Sequence, residues 1–337
     1  PASSHPLAPH SMIVPDFWAE ARLQQPNGKR QATVRRWGWS DTSEADAQAM
    51  ADARAAQAMA DLQAGHTVAR RERKQAYNGA QGLPIREEVL ARHGSTVITR
   101  NAYGAHCLNT PDVVFADVDF ATQAPARLAW VMFALLTLAV VATTRAYVGG
   151  WVWPMAVVLG GLVSAPAAQA LYRLWIGYQG GHEALARKKL QAFVAEHPDW
   201  NLRLYRTPAG LRLLVTHTLA EPTDGLVQAF FAQVQADPMY VRMCNNQHCF
   251  RARVSGKPWR MGIDSPMRPR PGVWPVRAEA MPQRTAWTQA YDRKAQAYAA
   301  CRWLGDVGSG TVHPEVQAVV ALHDELSQAL QPNLPLA

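Results

Sequence analysis

"VVFADVDFATQAPARLAWVMFALLTLAVV", Val113–Val141, joins two patterns that seldom meet. Val113–Phe120 is a β-branched and aromatic run that closes on Asp117 and Asp119, which predicts a buried strand ending in an acid pair. Beyond Arg127 the charge disappears. Leu128–Thr144, about 17 uncharged residues, stands at the short end of what crosses a bilayer. After Arg145 a second uncharged run, Ala146–Tyr172, follows, punctuated by Gly149, Gly150, Pro154 and Pro166. Gly160, Gly161, Ser164 and Ala165 are small enough to let two helices approach closely. Trp151 and Trp153, beside Tyr147, suit an interfacial aromatic belt at the turn.

Together these features predict a two-helix transmembrane hairpin over 128–176. Arg127 before it, and Arg173, Arg187, Lys188 and Lys189 after it, place both outer ends in the cytoplasm by the positive-inside rule. The expected location is therefore the inner (cytoplasmic) membrane, with the soluble parts facing the cytoplasm. The alternative is a pair of buried core helices, which Ala-rich runs of this length also form.

The flanks are long enough to build a core. Of 337 residues, 48% are hydrophobic, and a formal charge of +8 suits nucleic acid, nucleotides or an anionic membrane face as partners. Positive-inside flanks raise the charge equally well. Cys107, Cys244, Cys249 and Cys301 are scattered without a repeated CxxC pair, which points to free thiols in a reducing compartment. PASSHPLAPHS at the start has neither a basic stretch nor an apolar run, so no secretory signal is expected.

Upstream, residues 1–112 read as an N-terminal α/β segment packing on the core. Ala32–Trp39 predicts a strand, Ser43–Gln63 a capped helix, Pro84–Arg92 a second helix and Thr96–Thr99 a strand, before the polar stretch RNAYGAHCLN. The basic run Arg70–Lys74 reads as a solvated face. Downstream, residues 177–258 carry a helix over His182–His197, strands at Leu202–Tyr205 and Leu211–Thr216, and a helix capped by Asp224. Strands at Tyr240–Cys244 and Cys249–Val254 around the turn Asn245–His248 complete that segment. A Pro- and Arg-rich wrap and two helices, near Thr285–Trp303 and Pro314–Leu330, fill 259–337. With the hairpin set aside, the order from the first core strand (113–127) onward is βαββαβ. The fold class is thus α+β: a ferredoxin-like (split βαβ, RRM-like) sheet with the hairpin inserted after its first strand, and flanking helices.

Asp117 and Asp119, two apart on a strand, share one sheet face and can share a hard cation such as Mg²⁺ or Mn²⁺. VVFADVDF resembles the first motif of the archaeo-eukaryotic primase superfamily, a hydrophobic strand ending in DxD. LRLYRTPAGLRLLV resembles the second, two strands around a Ser/Thr and Gly turn, and ADPMYVRMC with FRARVSGKPW resembles the closing strand pair. The resemblance covers Val113–Pro258 and implies that Asp117 and Asp119 are the catalytic, metal-binding pair of a nucleotidyl transferase. Two departures stand beside it. Arg212 occupies the place of the family's His two residues after the Gly, and no closing strand ends in a third carboxylate, Asp237 and Asp264 being weak substitutes.

Arg206, Thr207, Arg212, Arg251, Arg253 and Lys257 are the candidate phosphate or nucleic-acid contacts, with Tyr205, Tyr240 and Trp259 as base stackers. The bland reading of the same cations is an exposed sheet face. His106, Cys107, Cys244, His248 and Cys249 can be written down as a zinc set, but Cys-x₄-Cys is wider than a zinc knuckle. Three functions follow. The first is a membrane-tethered nucleotide- or nucleic-acid-binding protein resembling a primase palm. The second is a non-enzymatic membrane-anchored interaction or homo-oligomerisation module. The third is a DxD membrane glycosyltransferase, which has too few strands upstream of its acids.

Overall fold

The computed structural model describes residues 12–27, 30–72, 83–144, 152–270, 272 and 274–337. Arg145, Tyr147, Trp151 and the end of the basic run at Lys74 lie outside them. The architecture is α+β, with antiparallel pairing and eight α-helices among the described residues. The chain divides into two compact units, one holding Pro1–Val118 with Val194–Ala337, the other Asp119–Phe193.

In the first unit, β1 (Phe17–Asn27) and β2 (Arg30–Ser40) form a hairpin in which Trp18 stands opposite Trp39 and Leu23 opposite Val34. Helix α1 (Glu44–Gln63) starts at Ser43, whose hydroxyl accepts from the Asp46 N–H. Its buried side is almost all alanine: Ala47, Ala51, Ala55 and Ala58, with Met59. Small side chains at this spacing let the helix lie close on the hairpin. The approach is tight enough that a Cβ on Gly38 would fall 2.1 Å from the Ala47 carbonyl oxygen.

Two four-stranded sheets carry the rest of this unit. One has the order β3 (Glu88–His93), β4 (Thr96–Arg100), β5 (His106–Thr110), β9 (Phe250–Arg253). The other runs β10 (Arg302–Gly308), β7 (Asn201–Arg206), β8 (Gly210–Val215), β6 (Phe115–Asp119). Every residue of β8 is buried, as expected of an apolar strand covered on both faces. Helix α8 (Pro314–Ser327) lies on one face, with His323 against Phe115 and Tyr205. Helix α5 (Gly225–Val234), capped by Asp224, buries Val227, Phe230, Phe231 and Val234.

Several expectations are corrected. Tyr240–Cys244 is not a strand but part of helix α6 (Pro238–Gln247), and the expected turn at Asn245–His248 is largely its last turn. The deciding signals are the Asp237 cap and Pro238 at the first helical position; Tyr240, Met243, Cys244 and Gln247 then fall on one buried face. Pro84–Arg92 is no helix: from Glu88 it forms β3, because pairing with β4 outweighs local propensity. The polar stretch after Arg100 contains β5. Helix α7 (Met281–Ala295) ends early, and the residues expected to prolong it turn into β10 at Arg302. Finally, β9 pairs with β5 and not with β6.

In the second unit, α2 (Ala126–Thr144) and α3 (Val152–Tyr178) pack on each other, followed by α4 (Gly181–Glu196). Both α2 and α3 are long and apolar enough to cross a membrane. None of the apolar window of α2 is buried and only 22% of that of α3, so within this chain neither is covered as a core helix would be. Leu135, Leu138, Leu162 and Leu174 point outward. At about 1.5 Å per residue α3 is longer than a ~30 Å hydrocarbon layer is thick. The segment before α2 is pinned to α3, since Tyr172 Oη donates to the Ala121 carbonyl and Gln169 Nε2 to that of Thr122.

Every fourth residue of α3 from Ala156 to Ala168 is small and buried: Ala156, Gly160, Ser164, Ala168. A Cβ on Gly160 would stand 2.4 Å from Thr137 Oγ1 of α2. Gly160→Leu is therefore expected to drive the two helices apart. Cross-linking by a short bifunctional thiol reagent between cysteines introduced at Phe133 and Gly161 should fall sharply when that change is added; unaltered cross-linking would disprove this packing.

Candidate functional site

Arg212 lies in the middle of β8, opposite Tyr205 of β7. Its side chain is 3% exposed, yet every part of the guanidinium has a partner. Nε donates to Asp117 Oδ1 at 2.9 Å and Nη2 to Oδ2 at 3.3 Å, a bidentate fork from β8 to β6. Nη1 donates to the Arg253 carbonyl at 2.8 Å and stands 3.4 Å from His323 Nε2. Burial works against the charged form, but the field of Asp117 prevails and holds the guanidinium pKa above its ordinary value. Arg212 thus ties β6 of one sheet to β9 of the other.

Tyr240 makes a second tie between the same strands. Its hydroxyl donates to the Phe115 carbonyl at 3.0 Å and accepts from the Arg251 N–H at 3.3 Å. A third contact caps β6, because the Asp237 N–H at the start of α6 donates to the Asp117 carbonyl. Where β6 and β9 face each other, the Phe115, Asp117 and Arg253 carbonyls and the Arg251 N–H are thus taken up by side chains and a helix start, without a strand ladder.

Behind Arg212 sits a buried polar cluster. His323 and Cys301 are fully buried, with Nε2 and Sγ 3.9 Å apart, and His323 Nδ1 is 3.3 Å from Asp324 Oδ1. Burial opposes charge on both groups, but their mutual attraction lowers the Cys301 thiol pKa and raises that of the imidazole. Asp324 also accepts from Tyr205 Oη at 2.6 Å and Arg203 Nη2 at 2.6 Å. These three donors outweigh burial and hold its carboxyl below the usual range. Sequence reasoning missed this cluster. The available signal was the run Val316, Val319, Val320, His323, Ser327, which puts an imidazole on the apolar face of the last helix.

The predicted site residues disperse. Asp117 is half-buried under Arg212; Asp119 is exposed and belongs to the second unit. Arg206 Nη1 donates to the carbonyls of Thr207 and Gly210, both at 2.8 Å, and Thr207 Oγ1 accepts from the Gly210 N–H at 3.0 Å, so the β7–β8 turn closes on itself. Arg251, on β9, is buried and paired with buried Glu87, which also accepts from Thr99 Oγ1 at 2.7 Å. Arg253 Nη1 donates to the carbonyls of Ser255 and Ala337. Lys257 Nζ stands 5.5 Å from the Trp259 ring centre. Of the three proposed base stackers, Tyr205 and Tyr240 are buried and only Trp259 is exposed.

No protein-family model, curated protein or solved structure matches the chain.

A divalent cation fits Asp117 poorly, because both carboxylate oxygens already accept from a guanidinium that stays charged at any working pH. Among the described residues, no group of three or more His, Cys, Asp or Glu is placed to hold a metal, which also leaves the zinc set without a centre. All four cysteines are free and buried. What the arrangement does supply is a clamp between two sheets, in which Arg212 joins the Asp117 carboxylate of β6 to the Arg253 carbonyl of β9.

Proposed function

We propose that this chain is a membrane-anchored interaction module, including contacts with further copies of itself, built on a primase-like palm. In it the acid of the first motif serves as a structural counter-ion. The observation that carries this reading is the fork from Arg212 to Asp117, with the guanidinium's remaining arm on the Arg253 carbonyl. The split βαβ ancestry is supported by the order β6-β8-β7, the sequence in which that topology sets its first, third and second strands. Its fourth position, beside β6, is approached by β9 through the Arg212 and Tyr240 ties.

The test is a thermal-shift titration of the full chain in detergent with nucleoside triphosphates and Mn²⁺. No nucleotide-dependent shift is expected, while Asp117→Asn lowers the melting temperature with or without nucleotide. A saturable Mn²⁺-dependent shift that Asp117→Asn abolishes would instead establish the metal-dependent nucleotidyl-transfer reading.

On this proposal α2 and α3 form the anchor at the inner membrane, and Arg127 and Arg173 hold both outer ends on the cytoplasmic side. A cysteine placed at exposed Asp41 and another at exposed Glu325 should both resist a membrane-impermeant maleimide in intact cells and react after lysis. Labelling of either in intact cells would overturn the assigned orientation.

A further inference from the structure

Apart from the Arg212 clamp, the first unit has a cleft of about 660 Å³, bounded by α8 on one side and by Arg203 of β7 and Asp306 of β10 on the other. That volume is in the range of small-molecule sites, which pair apolar walls with a few fixed polar groups. Val320 and Ala321 form the apolar wall along α8, and Leu330 and Val312 stand at its rim, 56% and 40% exposed. The charged groups are Arg203, Asp306, Asp324 and Glu325, among the neutral amides of Gln317, Gln328 and Gln331. Three carboxylates against one guanidinium leave the lining formally at −2, on a chain that carries +8 overall.

Arg203 does not open the cleft to anions, because its guanidinium is turned onto the protein. Nη2 donates to Asp324 at 2.6 Å, Nη1 to Asp306 at 3.2 Å and Nε to Tyr205 Oη at 2.8 Å, and the group lies 4.7 Å over the Trp303 ring centre. Two carboxylates, a phenol and an indole face are how a planar cation is held. The protein already holds one such cation at the floor of the cleft, while exposed Glu325 faces the remaining space. A phosphate or nucleotide entering here would meet like charge; a cation would not.

We propose that this cleft binds a small organic cation, an amidinium, guanidinium or ammonium group on an apolar body. Its head lies towards Glu325 and Asp306, and its body against Val320, Ala321 and Leu330. Arg203 is the positioning residue, holding Asp306 beside Glu325 where the head is recognised.

The test uses the full chain in detergent, with benzamidine as probe and neutral benzamide as its near-isosteric control, followed by calorimetric titration. Saturable binding of benzamidine and none of benzamide is expected. Glu325→Gln should weaken benzamidine roughly tenfold, the scale of one hydrogen bond to a charged group. Ala321→Trp, at an exposed helix position, should fill the cleft and abolish binding while the melting temperature confirms the fold. The proposal is overturned if benzamidine fails to saturate, if benzamide binds equally, or if binding survives Glu325→Gln unchanged. Because the cleft shares no residue with the Arg212–Asp117 fork, failure here leaves the clamp reading standing, and the reverse also holds.

Discussion

Asp117→Asn is expected to destabilise the first unit by about 3–5 kcal/mol, the range for removing one partner of a buried ion pair. The size of the loss comes from the residue left behind. Arg212 is 3% exposed and cannot shed its proton, whereas Asp117 is 33% exposed and is partly solvated even without its partner. Removing the acid strands a cation in the interior, and removing the arginine strands an anion near water. Arg212→Met should therefore be milder than Asp117→Asn, and the double change Asp117→Asn/Arg212→Met should recover much of the loss. Denaturant unfolding of the full chain in detergent, followed by tryptophan fluorescence, reads the three midpoints. A metal-binding Asp117 predicts the opposite outcome, because relieving a like-charged acid pair would leave stability unchanged or raised.

Glu87→Gln is expected to be of similar size, about 3–5 kcal/mol, for the same reason in a drier place. Glu87 and Arg251 are 2% and 7% exposed on their side chains, and burial alone would lower the Arg251 pKa, which Cys107 and Glu87 instead raise well above its ordinary value. Glu87 also takes the Thr99 hydroxyl, which in turn accepts from Asn109 Nδ2 at 2.9 Å. A neutral amide there leaves a cation without a counter-ion and disturbs a chain of hydrogen bonds across three strands. Glu87→Leu/Arg251→Met should be far less damaging than Glu87→Gln alone, since both charges go together. Equal losses for single and double changes would show that the pair's packing matters more than its charge.

Legibility in the sequence followed how local each signal was. The hairpin helices announce themselves through long uncharged runs, and the Ser43 and Asp224 caps locate two helices within a residue. The β7–β8 pair is carried by apolar runs around a Pro-Gly turn. Tyr240–Cys244 misled because five alternating residues satisfy a strand, while the helix period needs the eight from Tyr240 to Gln247 to show. Asp117 and Arg212 stood out in the sequence as residues, but their pairing with each other did not. Whether an arginine meets a phosphate or an aspartate depends on which strand arrives beside it, and Arg212 meets Asp117 from 95 residues away. His323, Asp324 and Cys301 lie farther along the chain still, with no motif to link them to the core strands.

The Tyr240 hydroxyl, lodged between the Phe115 carbonyl and the Arg251 N–H, has a consequence for how the protein behaves among its neighbours. Strand β6 ends one sheet and β9 ends the other. Bare strand margins invite foreign chains to add on, the first step of aggregation and of swapped assemblies. Here the two margins guard each other, held one phenol apart. An intruding strand would have to displace Tyr240 from both before it could bond to either. Such a seal keeps copies of the chain that collide from merging their sheets.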